Sequence, residues 1–207
     1  MGRVVFASSG GAIYGDQREF PAPEDHPQYP DSPYGVSKLA GERYLHFCHV
    51  QYGVSYAALR YANVYGPRQD PHGEAGVVAI LSNNLAAQRV STINGRGEQT
   101  RDYVYVGDIA HANVLALEGD PPSGAYNIGT AVETSVNELY ELLHDLSGKD
   151  SPAKHGPAKP GEQLRSSVDP ALASRGLDWT PEVDLTTGLT STLRSFGAVE
   201  NTELKQG

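Results

Sequence analysis

Val54-Ser55-Tyr56-Ala57-Ala58-Leu59-Arg60-Tyr61-Ala62, met directly after a long helical run, is the stretch that decides the fold. It reads as a strand. The helical run before it starts at Ser32, which can cap the helix, with Pro33 suited to the first helical position. Val36, Leu39, Ala40, Phe47 and Cys48 keep helical spacing as far as Gly53. Further upstream, Pro21, Pro23, Pro27, Pro30 and Pro33 mark an irregular loop over 20–33. Before that, Arg3-Val4-Val5-Phe6-Ala7-Ser8 reads as a buried strand that ends in the turn Ser9-Gly10-Gly11. Strand, loop, long helix and strand in that order predict an α/β fold with parallel pairing.

Downstream the pattern continues. A helix is expected over 77–89, with Val77, Ile80, Leu81 and Leu85 as its apolar positions. Residues 102–106 alternate as a strand, and Asp108 is placed to cap a helix through Leu117. A short strand follows at 125–129. Ser135 with Glu138 forms a capping-box pattern ahead of a helix at 136–146. Residues 151–162 read as a loop, 170–175 and 186–196 as short helices, and the last ten residues as frayed. No internal repeat is present.

One absence weighs more than these features. A dinucleotide-binding fold opens with a strand, a G-x-G-x-x-G turn and a helix. Gly10-Gly11 is the nearest candidate, and a proline-rich loop rather than a helix is expected after it. The α/β part is therefore read as a portion of a doubly wound sheet.

Bulk properties exclude several classes. With 207 residues and 39% hydrophobic content the chain can bury a core in one or two domains. No apolar run reaches the length of a membrane span, and no signal peptide is expected at the start. The single cysteine, Cys48, rules out an internal disulfide and fits a reducing, cytoplasmic setting. Acidic residues outnumber basic ones, 25 to 16, and no basic stripe stands out, which argues against nucleic acid. Small anionic ligands stay possible, because a few placed cations suffice. Tyrosine outnumbers phenylalanine 12 to 4, which fits either polar pockets or compositional drift.

The strongest local chemistry is Tyr34-Gly35-Val36-Ser37-Lys38. A spacing of four puts Tyr34 and Lys38 one helical turn apart on one face. A free tyrosine, with a pKa near ~10, is a poor base at neutral pH. A nearby ammonium favours the phenolate, and the pair becomes a usable proton acceptor for an alcohol. The plain alternative is a surface tyrosine beside a solvated lysine. His46 and His49 flank Cys48, but a metal site needs more ligands, so no metal is expected. Asp108 reads as a helix cap rather than an acid catalyst, and Tyr14 and Tyr103 either line a pocket or pack.

Context changes the weight of the Tyr-Lys pair. Ser8-Ser9 precedes Tyr14-Gly15, then comes Ser32-Pro33-Tyr34-Gly35 with Ser37-Lys38. Arg60-Tyr61-Ala62-Asn63-Val64-Tyr65-Gly66-Pro67-Arg68 follows, then Gly97 to Val106 and Tyr126-Asn127-Ile128-Gly129. Lys159-Pro160-Gly161-Glu162 and Gly176 to Pro181 complete the series. In this order, over nearly the whole chain, these motifs resemble the extended short-chain dehydrogenases of the NAD-dependent epimerase/dehydratase family, UDP-glucose 4-epimerases above all.

That resemblance implies a partial Rossmann-like doubly wound parallel sheet over 1–66 and 107–130. It implies a smaller, C-terminal substrate-binding domain over 67–106 and 131–207. It implies NAD as cofactor and a UDP-sugar as substrate, of the UDP-glucose/UDP-galactose type, epimerised at C4 through a transient 4-keto sugar. Tyr34 would take the proton from the 4-hydroxyl, and Lys38 would hold the nicotinamide ribose. Ser8 and the main chain around Tyr61 would help to seat the cofactor. Asn63, Arg101 and Lys159 would bind the diphosphate, Glu162 the uridine ribose, and Thr92 to Asn94 would run beside the uracil. Relatives dimerise through long helices, and the helix from Tyr34 would be one of them.

The chain departs from the family at one catalytic position. Counting back from Tyr14, the usual Ser or Thr position holds Gly10, so Ser9 is the nearest hydroxyl; its alternative is to satisfy the turn. Gly11 and Ala12 stand where dehydratases and decarboxylases carry acids, which leaves plain epimerisation. Ser166, at a position that can limit bulky sugars, is small. Arg165 could favour a carboxylate or stand solvated. The missing glycine turn keeps a second expectation open: a non-catalytic remnant that binds a UDP-sugar or a partner.

Overall fold

The computed structural model describes residues 2–72 and 76–199. In chain order its elements are β1 (Arg3–Ser9), α1 (Gly10–Tyr14), α2 (Pro33–Tyr52), β2 (Ser55–Tyr61), β3 (Asn63–Tyr65), α3 (Val77–Ala86), β4 (Ser91–Asn94) and β5 (Thr100–Tyr105). Then come α4 (Val106–Glu118), β6 (Gly124–Ile128), β7 (Glu133–Ser135), α5 (Val136–Ser147), β8 (Ala153–Gly156), α6 (Ala171–Leu177) and α7 (Leu185–Ser195). Among the described residues, no helix is long and apolar enough to cross a membrane.

The chain divides into two compact units. The first holds Met1–Val64, Arg101–Glu133 and Arg165–Glu182; the second holds Tyr65–Thr100, Thr134–Leu164 and Val183–Gly207. Arg101 and residues 165–182 thus fall with the first unit, where the sequence reading grouped them with the second.

The first unit is built on a parallel sheet in the order β1-β2-β6. Arg3↔Ser55 through Ser9↔Tyr61 pair β1 with β2, and Ala57↔Gly124 through Tyr61↔Ile128 pair β2 with β6. The middle strand, β2, is buried along five consecutive residues. A strand covered on both faces has no polar alternation, which explains its nearly unbroken apolar run. Alternate side chains point to opposite faces. Ala57 and Leu59 enter a core with Ile109, Ala112 and Ala116 of α4, Tyr126 and Ile128 of β6, and Trp179. Arg60, on the opposite face, is bonded to Glu42 of α2 instead. Trp179 is fully buried and donates its indole N–H to the Asp108 carbonyl at 2.9 Å.

The second unit gathers α3, α5 and α7, which pack on one another. Leu81, Leu85, Leu139, Leu143, Leu189 and Leu193 are buried there. Ser135 and Glu138 make the expected capping box, with both reciprocal bonds present. A two-stranded parallel sheet, β4-β8, completes this unit.

Several expectations need correction. Gly10–Tyr14 is a five-residue helix, not a bare turn, and the proline-rich loop follows it. Helix α4 starts at Val106, so Asp108 sits inside its first turn, and the N-cap is Tyr105 with no side-chain cap bond. A carboxylate there still favours the positive end of the helix dipole. Helix α3 ends at Ala86. Residues 153–156, read as loop, form β8 because they find a partner in β4. Of the residues expected to fray, Ala198 is buried, and 200–207 lie outside the described residues. The apolar periodicity of α2 misleads most: Val36 and Phe47 are 53% and 50% exposed, and its buried residues are Gly35 and Glu42.

Candidate active site

Local sequence sets the start of α2. The Ser32 hydroxyl accepts from the Gly35 N–H at 3.1 Å, and Pro33 takes the first helical position. Gly35 lies against α1. A Cβ at this position would stand 2.3 Å from the Ala12 carbonyl oxygen. Only glycine lets α2 begin so close to the end of β1.

This seating brings Tyr34 and Lys38 together. Lys38 Nζ donates to the Ala7 carbonyl on β1 at 2.9 Å, and lies 5.4 Å from the Tyr34 ring centroid and 5.3 Å from that of Phe6. Those are cation–π distances. One of the three ammonium donors is spent on Ala7, which leaves donors for another group. Tyr34 is 53% exposed.

Ser8 and Ser9 end β1 and differ in role. Ser8 is buried and its hydroxyl donates to Glu42 Oε1 at 2.5 Å. Ser9 is the N-cap of α1, but its side chain makes no cap bond, so the hydroxyl is not taken up by the turn. Tyr61 pairs with Ser9 in register. Its side chain goes to α4, where the hydroxyl donates to Asn113 Oδ1 at 3.0 Å and accepts from Asn113 Nδ2 at 2.8 Å. Burial pushes its pKa up. Of Tyr61, the main chain is thus the part placed beside the end of β1.

Asn63 opens β3 and Arg101 lies in β5. Next to Arg101, Asp102 is buried and accepts from Thr130 N (2.9 Å), Thr130 Oγ1 (2.7 Å), Ala131 N (3.1 Å) and Val168 N (3.3 Å). Burial pushes this carboxyl above its ordinary range, and the four donors oppose the shift. Gly129 leaves room for it, since a Cβ there would meet Asp102 Oδ2 at 2.5 Å. Asp102 thereby ties down the loop after β6. Sequence reading saw in it only strand alternation.

A second buried network also went unread. Arg60 gives Nε and Nη2 to Glu42, at 3.0 and 2.7 Å, and Nη1 to the Tyr14 hydroxyl at 2.9 Å. Tyr14 donates to Asn127 Oδ1 at 2.7 Å. Burial pushes the Tyr14 phenol up to about 12, against the pull of Arg60. Burial works against the Arg60 charge as well, but Glu42 and Tyr14 together more than offset it and hold the guanidinium pKa above its ordinary value. Tyr14 packs and does not line an open pocket. The available signal was a charged residue inside an apolar strand.

Arg165 is exposed, as a solvated arginine would be, but it is also paired. Its guanidinium holds Glu133 through Nη2 at 2.6 Å and Nε at 3.0 Å, and stacks 3.9 Å above the Phe20 ring. Ser166 is buried, with its carbonyl accepting from Asp102 N at 3.0 Å.

The remaining predicted residues belong to the second unit. On β4, Ser91 and Ile93 face inward, and Thr92 and Asn94 are exposed. Lys159 and Glu162 share one turn, in which Glu162 N donates to the Lys159 carbonyl at 3.2 Å. Gly161 has φ 73° within that turn, a conformation suited to glycine. Among the described residues, no group of three or more His, Cys, Asp or Glu is arranged to hold a metal ion.

A parallel strand–helix–strand unit with a Tyr-x-x-x-Lys pair on the first turns of its long helix defines a Rossmann-like α/β domain of the short-chain dehydrogenase type. Residues 1–129 match the family described as NAD dependent epimerase/dehydratase. UDP-glucose 4-epimerase from Mycolicibacterium smegmatis is 44% identical over 196 residues, 94% of this chain and 62% of the relative. The crystal structure of UDP-glucose 4-epimerase from Thermotoga maritima with UDP-glucose is 45% identical, with a TM-score of 0.92 over 95% of this chain and 63% of that one. The Thermus thermophilus enzyme in complex with NAD is 40% identical with a TM-score of 0.87, over 94% of this chain and 64% of that one. The chain belongs to the NAD-dependent epimerase/dehydratase family, and it spans somewhat over three fifths of the length of these relatives.

NAD fits the described residues in part. The Lys38 ammonium, with donors left after Ala7, has the chemistry to hold a ribose hydroxyl at the end of β1. The NAD diphosphate has no glycine-rich strand–turn–helix among the described residues, because β1 leads into a five-residue helix and then a loop.

Proposed function

We propose that this chain carries the catalytic and substrate-side residues of an NAD-dependent epimerase that inverts C4 of a UDP-sugar of the glucose/galactose type. The observation that carries the reading is the Tyr34–Lys38 pair, with the ammonium anchored on Ala7 at 2.9 Å and 5.4 Å from the phenol ring. Tyr34 accepts the proton of the sugar 4-hydroxyl, and returns it when the hydroxyl re-forms with the opposite configuration. Lys38 holds the ribose beside the ring. Bound NAD supplies the hydride acceptor and donor. Ser9 steadies the reacting oxygen through its uncommitted hydroxyl, and Ser8 contributes its main chain.

On the substrate side, Asn63 and the planar guanidinium fork of Arg101 in the first unit are donors suited to a diphosphate, and Lys159 in the second unit is a further cation for one. Glu162 accepts from the uridine ribose, and Thr92 and Asn94 flank the uracil. The first unit carries Ser9, Tyr34 and Lys38, and the second carries Thr92, Asn94, Lys159 and Glu162. Arg165 is paired with Glu133 and stacked on Phe20, which supports a neutral sugar over a uronate there. At full length the protein works as a cytoplasmic homodimer.

A second reading rests on the part of NAD that has no counterpart among the described residues: a chain that binds a UDP-sugar without turnover. Thermal-shift titration with UDP and with NAD+ separates the two, because a ligand of the folded state raises its stability by mass action. Saturable shifts with both, followed by conversion of UDP-glucose to UDP-galactose, support the epimerase. A shift with UDP alone and no conversion leaves the binding protein. No shift with UDP sinks both.

A further inference from the structure

Helix α2 is twenty residues long, yet its buried residues are Gly35 and Glu42 alone. Its apolar side chains are at best half-buried, as Leu39 is against Ile13 and Tyr14. A buried carboxylate is an expensive anchor unless it is fully paired. Glu42 is paired on both oxygens: Oε1 takes Ser8 Oγ at 2.5 Å and Arg60 Nε at 3.0 Å, and Oε2 takes Arg60 Nη2 at 2.7 Å. Arg60 is fixed in turn by the Tyr14 hydroxyl at 2.9 Å and the Glu24 carbonyl at 2.8 Å. Apolar contacts are non-directional. A forked charge pair fixes both distance and orientation.

The placement of Glu42 gives that rigidity a use. It lies one turn beyond Lys38 and two beyond Tyr34, on roughly the same face. Lys38 and Glu42 dock on adjacent residues of β1: Lys38 on the Ala7 carbonyl, Glu42 on the Ser8 hydroxyl. We infer that Glu42 is a positioning residue for the Tyr34–Lys38 pair: with Ser8 and Arg60 it sets how far α2 lies along β1, and so where the ammonium stands beside the phenol. This rests on the proposed role of that pair.

The test uses the 207-residue chain labelled with ¹³C at the tyrosine ring carbon that bears the hydroxyl. Tyr34→Phe identifies the Tyr34 resonance by its loss, and Lys38→Met measures how far that resonance moves when the ammonium is removed. Glu42→Gln is expected to move it at least half as far. Trp179→Phe, a core change in the same unit, controls for lost stability and is expected to leave it in place. Should Glu42→Gln fail to fold, Ser8→Ala removes a single bond to the carboxylate and is expected to give a smaller movement in the same direction. A folded Glu42→Gln or Ser8→Ala chain with the wild-type Tyr34 resonance overturns the positioning role, and so does an equal movement in Trp179→Phe. A resonance indifferent to Lys38→Met overturns the pairing itself, and the positioning role with it.

Discussion

Gly35 occupies a point where no side chain fits, 2.3 Å for a built Cβ from the Ala12 carbonyl and 2.9 Å from Pro30 Cβ. Gly35→Ala is expected to cost about 1–3 kcal/mol, because backbone must move to admit the methyl. A urea unfolding curve reads this as a lower midpoint at unchanged slope. Tyr14 gives a pH-dependent counterpart. Its phenol is pushed from the ordinary 10 up to about 12 in the folded chain. The stability from this group is therefore fully present below pH 10, and is lost as pH rises from 10 through 12. Integrated over that window the loss is about 2–3 kcal/mol. Tyr14→Phe also removes the partner of Arg60 and Asn127. The variant should be less stable than wild type at pH 8, and the gap should shrink through pH 12. A constant gap in unfolding free energy across that range would refute the assignment.

Among the elements, α2 and α5 use the same amino-acid types to different ends. In α5 the apolar positions Val136, Leu139 and Leu143 turn inward, so its periodicity names its buried face. In α2 the large apolar side chains stay outside: Tyr44 is 73% exposed, Val50 61% and Phe47 50%. A run of exposed apolar groups on one helix calls for cover, and a second copy of the chain is the cover proposed above. Phe47→Glu is expected to weaken self-association at least tenfold in sedimentation equilibrium, with the far-UV circular dichroism spectrum unchanged. Equal association by the two proteins would exclude α2 from the contact. Periodicity failed for α2 because its seating on the sheet is polar: a glycine contact, a lysine on a carbonyl and a buried ion pair replace the usual apolar stripe.

For the whole molecule, stability rests on cores of different make in the two units. Leu59 lies at the centre of the parallel sheet and Leu143 among the helices of the second unit; both are fully buried. Leu59→Ala and Leu143→Ala are each expected to cost about 2–5 kcal/mol, the usual loss for an emptied leucine site. Calorimetry tests this, and a loss below about 1 kcal/mol would mean that the affected core is not a support of the fold. At this scale the sequence by itself determined the class of the fold, the parallel strand–helix–strand unit, the capping of α2 and α5, and the Tyr34–Lys38 spacing. Each of these is local: it depends on neighbours within a turn or on an unbroken apolar run. Only the tertiary structure decided that Ser8 serves Glu42 while Ser9 does not cap its helix, that Arg165 is held by Glu133, and that β8 exists. Those outcomes depend on pairings between residues 32 to 62 positions apart in the chain. Such partners leave no periodic trace in a single sequence, and they meet only once the chain has folded.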